Sequence, residues 1–318
     1  ILDAYVANPG DYSWDPLQEF GNLTVWQRSF GREEILSRAR NAQILLVDKI
    51  ELSADMLENL PKLEMISVLA TGYNIIDMQA ATERGILVCN VPSYSTDSVA
   101  QHVFAMLLQL MNHSYSYTQA VTAGEWCSST DFTIFLEPIR ELAGLTMGIV
   151  GFGAIGTAVA KIAQAFGMKV IANNRSEKSY PGVEFVDLQT LLAESDVISL
   201  HCPLTADNAK MINQETLALM KKSACLINTA RGALIDEKAL AQALNEEEIA
   251  AAILDVLSEE PPTTANPLLK AKNCLITPHV AWAGVQARKE LMQVTFKNIQ
   301  QYLQGKPQNL ENPEALKK

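Results

Sequence analysis

Cysteine is scarce and badly placed for crosslinking. The chain of 318 residues carries five (Cys89, Cys127, Cys202, Cys225 and Cys274), an odd number, far apart and never in a C-x-x-C pair. That pattern argues against a disulfide framework or a zinc site and implies a reducing compartment, with the cytoplasm as the expected location and no metal as a cofactor. Four of the five lie in or beside apolar runs, the usual place of a small buried filler. Basic clusters are also missing. Lys and Arg total 25 against 36 Asp and Glu, for a net charge of −11. Nucleic acid and anionic membranes are therefore not expected partners. No apolar run approaches the ~20 residues of a membrane span, and no basic segment followed by an apolar one opens the sequence as a secretory signal would. Repeats and low-complexity tracts are absent. What remains is an ordinary globular composition, 48% hydrophobic and 19% charged, long enough for two domains with buried cores.

The first hundred residues alternate short apolar runs with helical patterns. Residues 2–7, 23–26, 44–47, 65–70 and 87–90 read as strands, with helices at 33–41, 54–60 and 78–84. Such alternation implies a parallel sheet with crossover helices. A strongly apolar helix follows over residues 98–111, behind the capping-type residues Thr96 and Asp97. The stretch 117–143 is less regular and carries Trp126, Phe132 and Phe135, aromatics that need a cover; a partner subunit is one candidate. A second, more orderly series begins at Thr146, with strands at 146–150, 169–172, 197–200, 225–228, 251–255 and 274–277. Residues 285–303 form a long amphipathic helix, ended by Gly305 and Pro307.

The run Gly151-Phe152-Gly153-Ala154-Ile155-Gly156 lies between the strand ending at Val150 and a helix over 158–166. In that context the first glycine makes the tight turn, the second admits a pyrophosphate to the backbone, and the third lets helix pack on strand. Such a fingerprint calls for an acidic residue near the end of the second strand, to bond the adenosine ribose. The sequence there reads Ala172-Asn173-Asn174-Arg175-Ser176, with Asn174 at the expected position. An acid would repel a 2′-phosphate, whereas Asn174, Arg175 and Ser176 could accept one. NAD or NADP is thus the expected cofactor, with use of NADP(H) favoured.

Three segments follow apolar runs in the last third: Asn228-Thr229-Ala230-Arg231-Gly232, Ser258-Glu259-Glu260-Pro261-Pro262 and Thr277-Pro278-His279-Val280-Ala281-Trp282. The ends of consecutive parallel strands open onto one crevice, so an arginine, a carboxylate and an imidazole would meet there. The chain has only four histidines. His102 lies inside the apolar helix and reads as a packed residue, His113 sits near that helix's C-terminus, and His201 closes a strand as part of a crevice wall. His279 is the best candidate for proton transfer, because imidazole titrates near neutrality. A glutamate reaching it would favour the imidazolium and fix the tautomer. Arg231 offers a planar fork suited to a carboxylate and a neighbouring carbonyl oxygen.

With these segments the chain resembles the D-isomer-specific 2-hydroxyacid dehydrogenases over essentially its whole length. The resemblance also includes Ala70-Thr71-Gly72-Tyr73-Asn74-Ile75-Ile76-Asp77, Asn90-Val91-Pro92 and Ser98-Val99-Ala100-Gln101-His102. It implies two Rossmann-like domains with parallel sheets: a discontinuous, flavodoxin-like substrate domain (1–98 and 285–318) and an NAD(P)-binding domain (99–284), closing over the crevice at linking helices. It further implies that Arg231 binds the substrate carboxylate and keto oxygen, that His279 protonates that oxygen while hydride reaches C2, and that Glu260 keeps His279 protonated. Thr71, Gly72 and Tyr73 would offer backbone N–H groups to the carboxylate. Besides the glycines and the 174–176 segment, Ala154, Ile155, Cys202, Pro203, Asn208, Thr229, Ala230 and Asp255 would contact the cofactor. The stretch 117–143 would be a dimer arm, giving a homodimer.

Within the family, Thr122-Ala123-Gly124-Glu125-Trp126, Pro138-Ile139-Arg140-Glu141-Leu142 and the surroundings of Trp282 look most like bacterial glycerate dehydrogenases, also called hydroxypyruvate reductases. Hydroxypyruvate and glyoxylate, reduced to D-glycerate and glycolate, are then the expected substrates. The alternatives are another D-2-hydroxyacid dehydrogenase, such as a D-lactate type, or a non-enzymatic NAD(H)-sensing module. Partner-recruiting relatives of that last kind carry extra terminal segments, and regulated phosphoglycerate dehydrogenases an extra C-terminal domain. Neither is expected here.

Overall fold

A computed structural model describes residues 1–317. The chain forms two compact units, one built from Ile1–Ser95 together with the segment from Ala283 onward, the other from Thr96–Trp282. Both are α/β with parallel sheets. Among the described residues, no helix is long and apolar enough to cross a membrane.

In the first unit the described elements run α1 (Ala4–Ala7), α2 (Gly31–Ala39), β1 (Ile44–Val47), α3 (Ala54–Glu58), β2 (Met65–Val68), α4 (Met78–Glu83) and β3 (Leu87–Cys89). The strands form a parallel sheet in the order β1-β2-β3. Leu45, Val47, Ile66, Val68 and Val88 share one core with Leu2, Ile35, Leu57 and Ala81.

Two expected strands are not strands here. Residues 4–7 of the run 2–7 coil into the one-turn α1, and residues 23–26 lie extended outside the sheet. Leu2 N still donates to Leu46 O, so the N-terminal run touches β1, while Trp26 N donates to Ile1 O and Trp26 O accepts from Ala4 N, so the second segment lies along the first rather than along β1. Just beyond, the Asp3 carboxylate accepts from the N–H groups of Asp48 and Lys49, so the run meets the end of β1 through a side chain instead of continuing a backbone ladder. Burial raises the Asp3 pKa, and those N–H donors act against the rise.

The second unit contains α5 (Thr96–Asn112), α6 (Ser114–Thr122), β4 (Thr146–Val150), α7 (Ala154–Ala165), β5 (Lys169–Asn173), β6 (Val183–Phe185), α8 (Leu188–Glu194), β7 (Val197–Leu200), α9 (Gln214–Leu217), β8 (Cys225–Asn228), α10 (Glu237–Asn245), β9 (Ala251–Leu254) and β10 (Cys274–Ile276). Its strands are all parallel, in the order β10-β9-β8-β7-β4-β5-β6. Alternate strand residues face opposite layers, as the pleat requires. Val150, Ile198 and Leu226 pack with Leu191, Leu217 and Leu240 on one face, while Ile149, Val197 and Ile227 pack with Val103, Phe104 and Val159 on the other.

Three local expectations change. The helix after the glycine turn starts at Ala154 rather than at 158, so Gly156 lies inside its first turn. The stretch 117–143 begins as helix, since α6 covers its first residues. A short edge strand, β6, was not expected. Side-chain caps on Asp77, Asp187 and Asp236 start α4, α8 and α10 by accepting free N–H groups of the first turn. The long helix α11 (Val285–Leu303) returns the chain to the first unit.

Candidate active site

In the second unit the strand order reverses between β4 and β7, whose C-terminal ends are the place where such sheets bind ligands. The turn after β4 passes against the turn after β7. A Cβ on Gly151, whose φ is +94°, would meet Cys202 N at 2.5 Å and His201 C at 2.7 Å. Gly156 is as tightly held, since a Cβ there would meet Gly151 O at 2.3 Å. Gly153, by contrast, faces open space. The first bond of α7 runs from Thr157 N to Gly153 O, so the N–H groups of Ala154, Ile155 and Gly156 precede the helical ladder. At the end of β8 the Thr229 hydroxyl is buried without a partner. An open glycine and free helix N–H groups after β4, with an orphaned hydroxyl after β8 just across β7, fit a dinucleotide with its pyrophosphate at the α7 N-terminus.

Around this turn, Asn174 Oδ1 accepts from Phe152 N (3.0 Å), and Asn174 Nδ2 donates to Ser176 O and Oγ. Asn174 thus ties the glycine turn to the segment after β5, leaving Arg175 exposed. Lys178, which sequence reasoning missed, folds back and donates from Nζ to Phe152 O (2.6 Å). Its signal is a second cation two positions beyond Ser176, but only the fold shows that the chain doubles back. On the β7 side, Asn208 fastens the Cys202–Pro203 turn by donating to Pro203 O (2.8 Å) and accepting from Thr205 N (2.7 Å). His201 is tied to Ser199 Oγ through Nε2 (2.8 Å), and burial lowers its pKa to about 4. It is neutral at physiological pH and cannot act as a cationic proton donor. Burial also pushes the Cys225 and Cys274 thiols up to about 12, so neither is a nucleophile near neutrality.

Strands β8, β9 and β10 lie side by side, with Asn228 level with Leu254 and Leu254 with Ile276. The three expected segments leave the sheet from that common level. Asn228 shapes the first: its side chain accepts from Ala230 N and donates to Arg231 O, and Arg231 Nη1 donates to Ala230 O. Gly232 then presses on the second, because a Cβ there would meet Leu257 C at 1.9 Å and Ser258 N at 2.3 Å. No other residue lets the arginine turn approach the Glu260 loop this closely. Glu260 Oε1 accepts from Leu257 N (2.9 Å), and Oε2 lies 2.6 Å from His279 Nδ1. A carboxylate only accepts, so Nδ1 carries the proton and Nε2 is the nitrogen left for a ligand. Both side chains keep about a third of their surface exposed or less (27% and 35%), consistent with a working pair open to small molecules.

His279 has a φ of +54°, in the left-handed region that a residue with Cβ rarely occupies. Several contacts hold it: its N–H donates to Asp255 O, and its carbonyl accepts from Trp282 Nε1. Asp255 is buried at the end of β9, with its carboxylate accepting from Val280 N, Ala281 N and Thr277 Oγ1. His102 packs against this group through Thr277, while His113 sits between α5 and α6. In the first unit the 71–73 loop is clamped separately. Thr71 Oγ1 donates to Val91 O, and Asn90 Nδ2 donates to Thr71 O.

The profile of the D-isomer specific 2-hydroxyacid dehydrogenase, NAD binding domain, matches residues 104–281. Over 319 aligned residues the chain is 43% identical to the hydroxypyruvate reductase of Blautia hydrogenotrophica, covering 98% of each. It is 42% identical to the glycerate dehydrogenase of Methylorubrum extorquens, covering 90% of each. Among solved structures, an acyclic imino acid reductase, Bsp5, in complex with NADPH and D-Arg superposes with a TM-score of 0.85 at 35% identity, covering 94% of this chain and 95% of that one. Likeness at this level along the whole chain, with an arginine, a paired glutamate and histidine and a glycine-rich turn at the C-terminal ends of one parallel sheet, establishes that the chain belongs to the D-isomer-specific 2-hydroxyacid dehydrogenase family.

Proposed function

We propose that this enzyme reduces small 2-keto acids to D-2-hydroxy acids with NAD(P)H, and that hydroxypyruvate and glyoxylate are its preferred substrates. The observation that carries the mechanism is the 2.6 Å contact between His279 Nδ1 and Glu260 Oε2. It supports a ring held through a proton on Nδ1, whose imidazolium form carries a second hydrogen on Nε2 as the donor to substrate. When bound, the nicotinamide supplies the hydride that reduces the carbonyl carbon. Arg231 holds the substrate carboxylate and the keto oxygen with its fork and stabilises the negative charge that develops on that oxygen. His279 Nε2–H donates its proton to the same oxygen, making the hydroxyl, and Glu260 balances the charge on the imidazole before the transfer. In the oxidative direction His279 takes the proton back. The first unit's loop of Thr71, Gly72 and Tyr73 is proposed as an additional carboxylate contact through its backbone N–H groups.

Asn174, Arg175 and Ser176 support use of NADPH, since no acid stands there to repel a 2′-phosphate, and Lys178 adds a second cation to the same turn. A homodimer is proposed through the 117–143 stretch. Phe132 and Phe135 are 90% and 86% exposed, and together with Trp126 and Ile139 they line an apolar groove of the kind a partner subunit covers. A panel of 2-keto acids run with both NADH and NADPH tests the reading. Hydroxypyruvate and glyoxylate should give the highest kcat/KM, and the reduced hydroxypyruvate should be D-glycerate. Silence across the panel would contradict the reading.

A further inference from the structure

We propose that His102, Ser98 and Thr277 are positioning residues for His279, forming a brace from helix α5 to the catalytic loop. The inference rests on the reading of His279 as the proton donor and adds what holds that donor in place. Ser98 and His102 are four apart, so they share one face of α5. Ser98 Oγ donates to Ala281 O (2.7 Å), and His102 Nε2 lies 3.0 Å from Thr277 Oγ1. The two contacts fall on either side of His279. Between them, Asp255 accepts from Thr277 Oγ1 (2.6 Å), Val280 N (2.9 Å) and Ala281 N (2.9 Å).

The proton order along this chain follows from the donor inventory. Thr277 has one hydroxyl hydrogen, which is committed to Asp255. Its oxygen can then only accept from His102, so Nε2 of His102 carries the hydrogen. The chain reads His102 Nε2–H to Thr277 Oγ1–H to Asp255 Oδ1. Its other end consists of the two N–H groups immediately after His279. A backbone at φ +54° persists only where its surroundings over-determine it, and the brace supplies that determination. The side chain of His102 is 18% exposed and that of Asp255 1%, so water competes little for these bonds. His102 therefore sets the line along which His279 meets the substrate oxygen, without touching substrate itself.

The test uses four single variants of the full-length enzyme. Thr277→Val keeps the shape and removes the hydroxyl, while Thr277→Ser restores it. His102→Leu removes the donor, and His102→Gln keeps an N–H at similar reach. Misplacing a reacting group by an ångström can cost about 100-fold, so Thr277→Val and His102→Leu should lower kcat by roughly 10- to 100-fold. The Kd for NADPH, read by fluorescence titration, should stay within about twofold because the phosphate-binding turn is untouched. Thr277→Ser and His102→Gln should recover most of kcat. In the wild type, ¹⁵N spectra of the histidine rings should show His102 protonated at Nε2. Normal kcat in folded Thr277→Val and His102→Leu proteins would overturn the brace, as would a His102 ring protonated only at Nδ1. If His279→Ala also kept normal turnover, the failure would lie with the proton-donor reading instead.

Discussion

Replacing Gly232 by alanine should disable the enzyme without unfolding it. The Cβ of Gly232→Ala would stand 1.9 Å from Leu257 C, 2.1 Å from Leu257 O and 2.3 Å from Ser258 N. All three are backbone atoms, so no side chain can swing aside. Ordinary contact begins at 3.4 Å, and 3.4 − 1.9 leaves a separation of about 1.5 Å to be made between the arginine turn and the loop carrying Glu260. Arg231 is the residue before this glycine, and Leu257 N is the donor that holds Glu260 Oε1. Opening the gap therefore displaces Arg231, the proposed anion clamp, and loosens the support of His279 together. A displacement of that size should cost about 100-fold or more in kcat/KM. The stability loss should be the milder cost of overpacking, about 1–3 kcal/mol. Steady-state kinetics with hydroxypyruvate, beside a denaturant melt and an NADPH titration, separates the effects. A well-folded Gly232→Ala enzyme with kcat/KM within about threefold of wild type would refute the argument that this close approach builds the site.

Glu260→Gln keeps the size of the side chain but gives it a donor as well as an acceptor, so His279 is no longer confined to one tautomer. Turnover should fall about 10- to 100-fold, with NADPH affinity little changed, as paired kinetics and titration would show. His201 makes folding sensitive to mild acid. Its pKa is lowered by burial from 6.5 to about 4, so below pH 6.5 the unfolded chain gains a proton that the folded one refuses. The stabilising difference is intact above 6.5 and is lost progressively down to about 4. It amounts to at most about 3 kcal/mol, less in practice because the residue keeps some exposure. Denaturant melts across that window should show a shallower slope for His201→Gln than for wild type; equal slopes would contradict the assignment. The proposed homodimer requires a dimer's mass for the wild type and a monomer's for Phe132→Asp and Phe135→Asp by light scattering; a mass that the substitutions leave unchanged would contradict a dimer through this stretch.

Much of this was readable from residue order, for identifiable reasons. A buried parallel strand is a continuous apolar run, so β4, β7, β8 and β9 stand out in the sequence alone. The glycine turn and the segments carrying Arg231, Glu260 and His279 were legible because each sits just after such a run. The misses come from interactions with distant sequence partners. Residues 4–7 look like a strand, yet just before them the Asp3 carboxylate meets the N–H groups of Asp48 and Lys49 in place of a backbone ladder. The strand β6 is short, with exposed Glu184 at its centre, too little alternation to stand out. Lys178 gains meaning only when the chain folds back onto Phe152 O. His102 reads as packing in an apolar helix, and its partner Thr277 lies at the far end of the unit. Periodicity reports which face is buried, not what that face touches.

The most direct test of the account is single-turnover reduction of hydroxypyruvate by His279→Ala with NADPH already bound. If His279 delivers the proton from its Glu260-held ring, the hydride step should slow by about 100- to 10,000-fold while NADPH still binds as tightly as to wild type. Reduction at a near-normal rate by that variant would contradict the central claim.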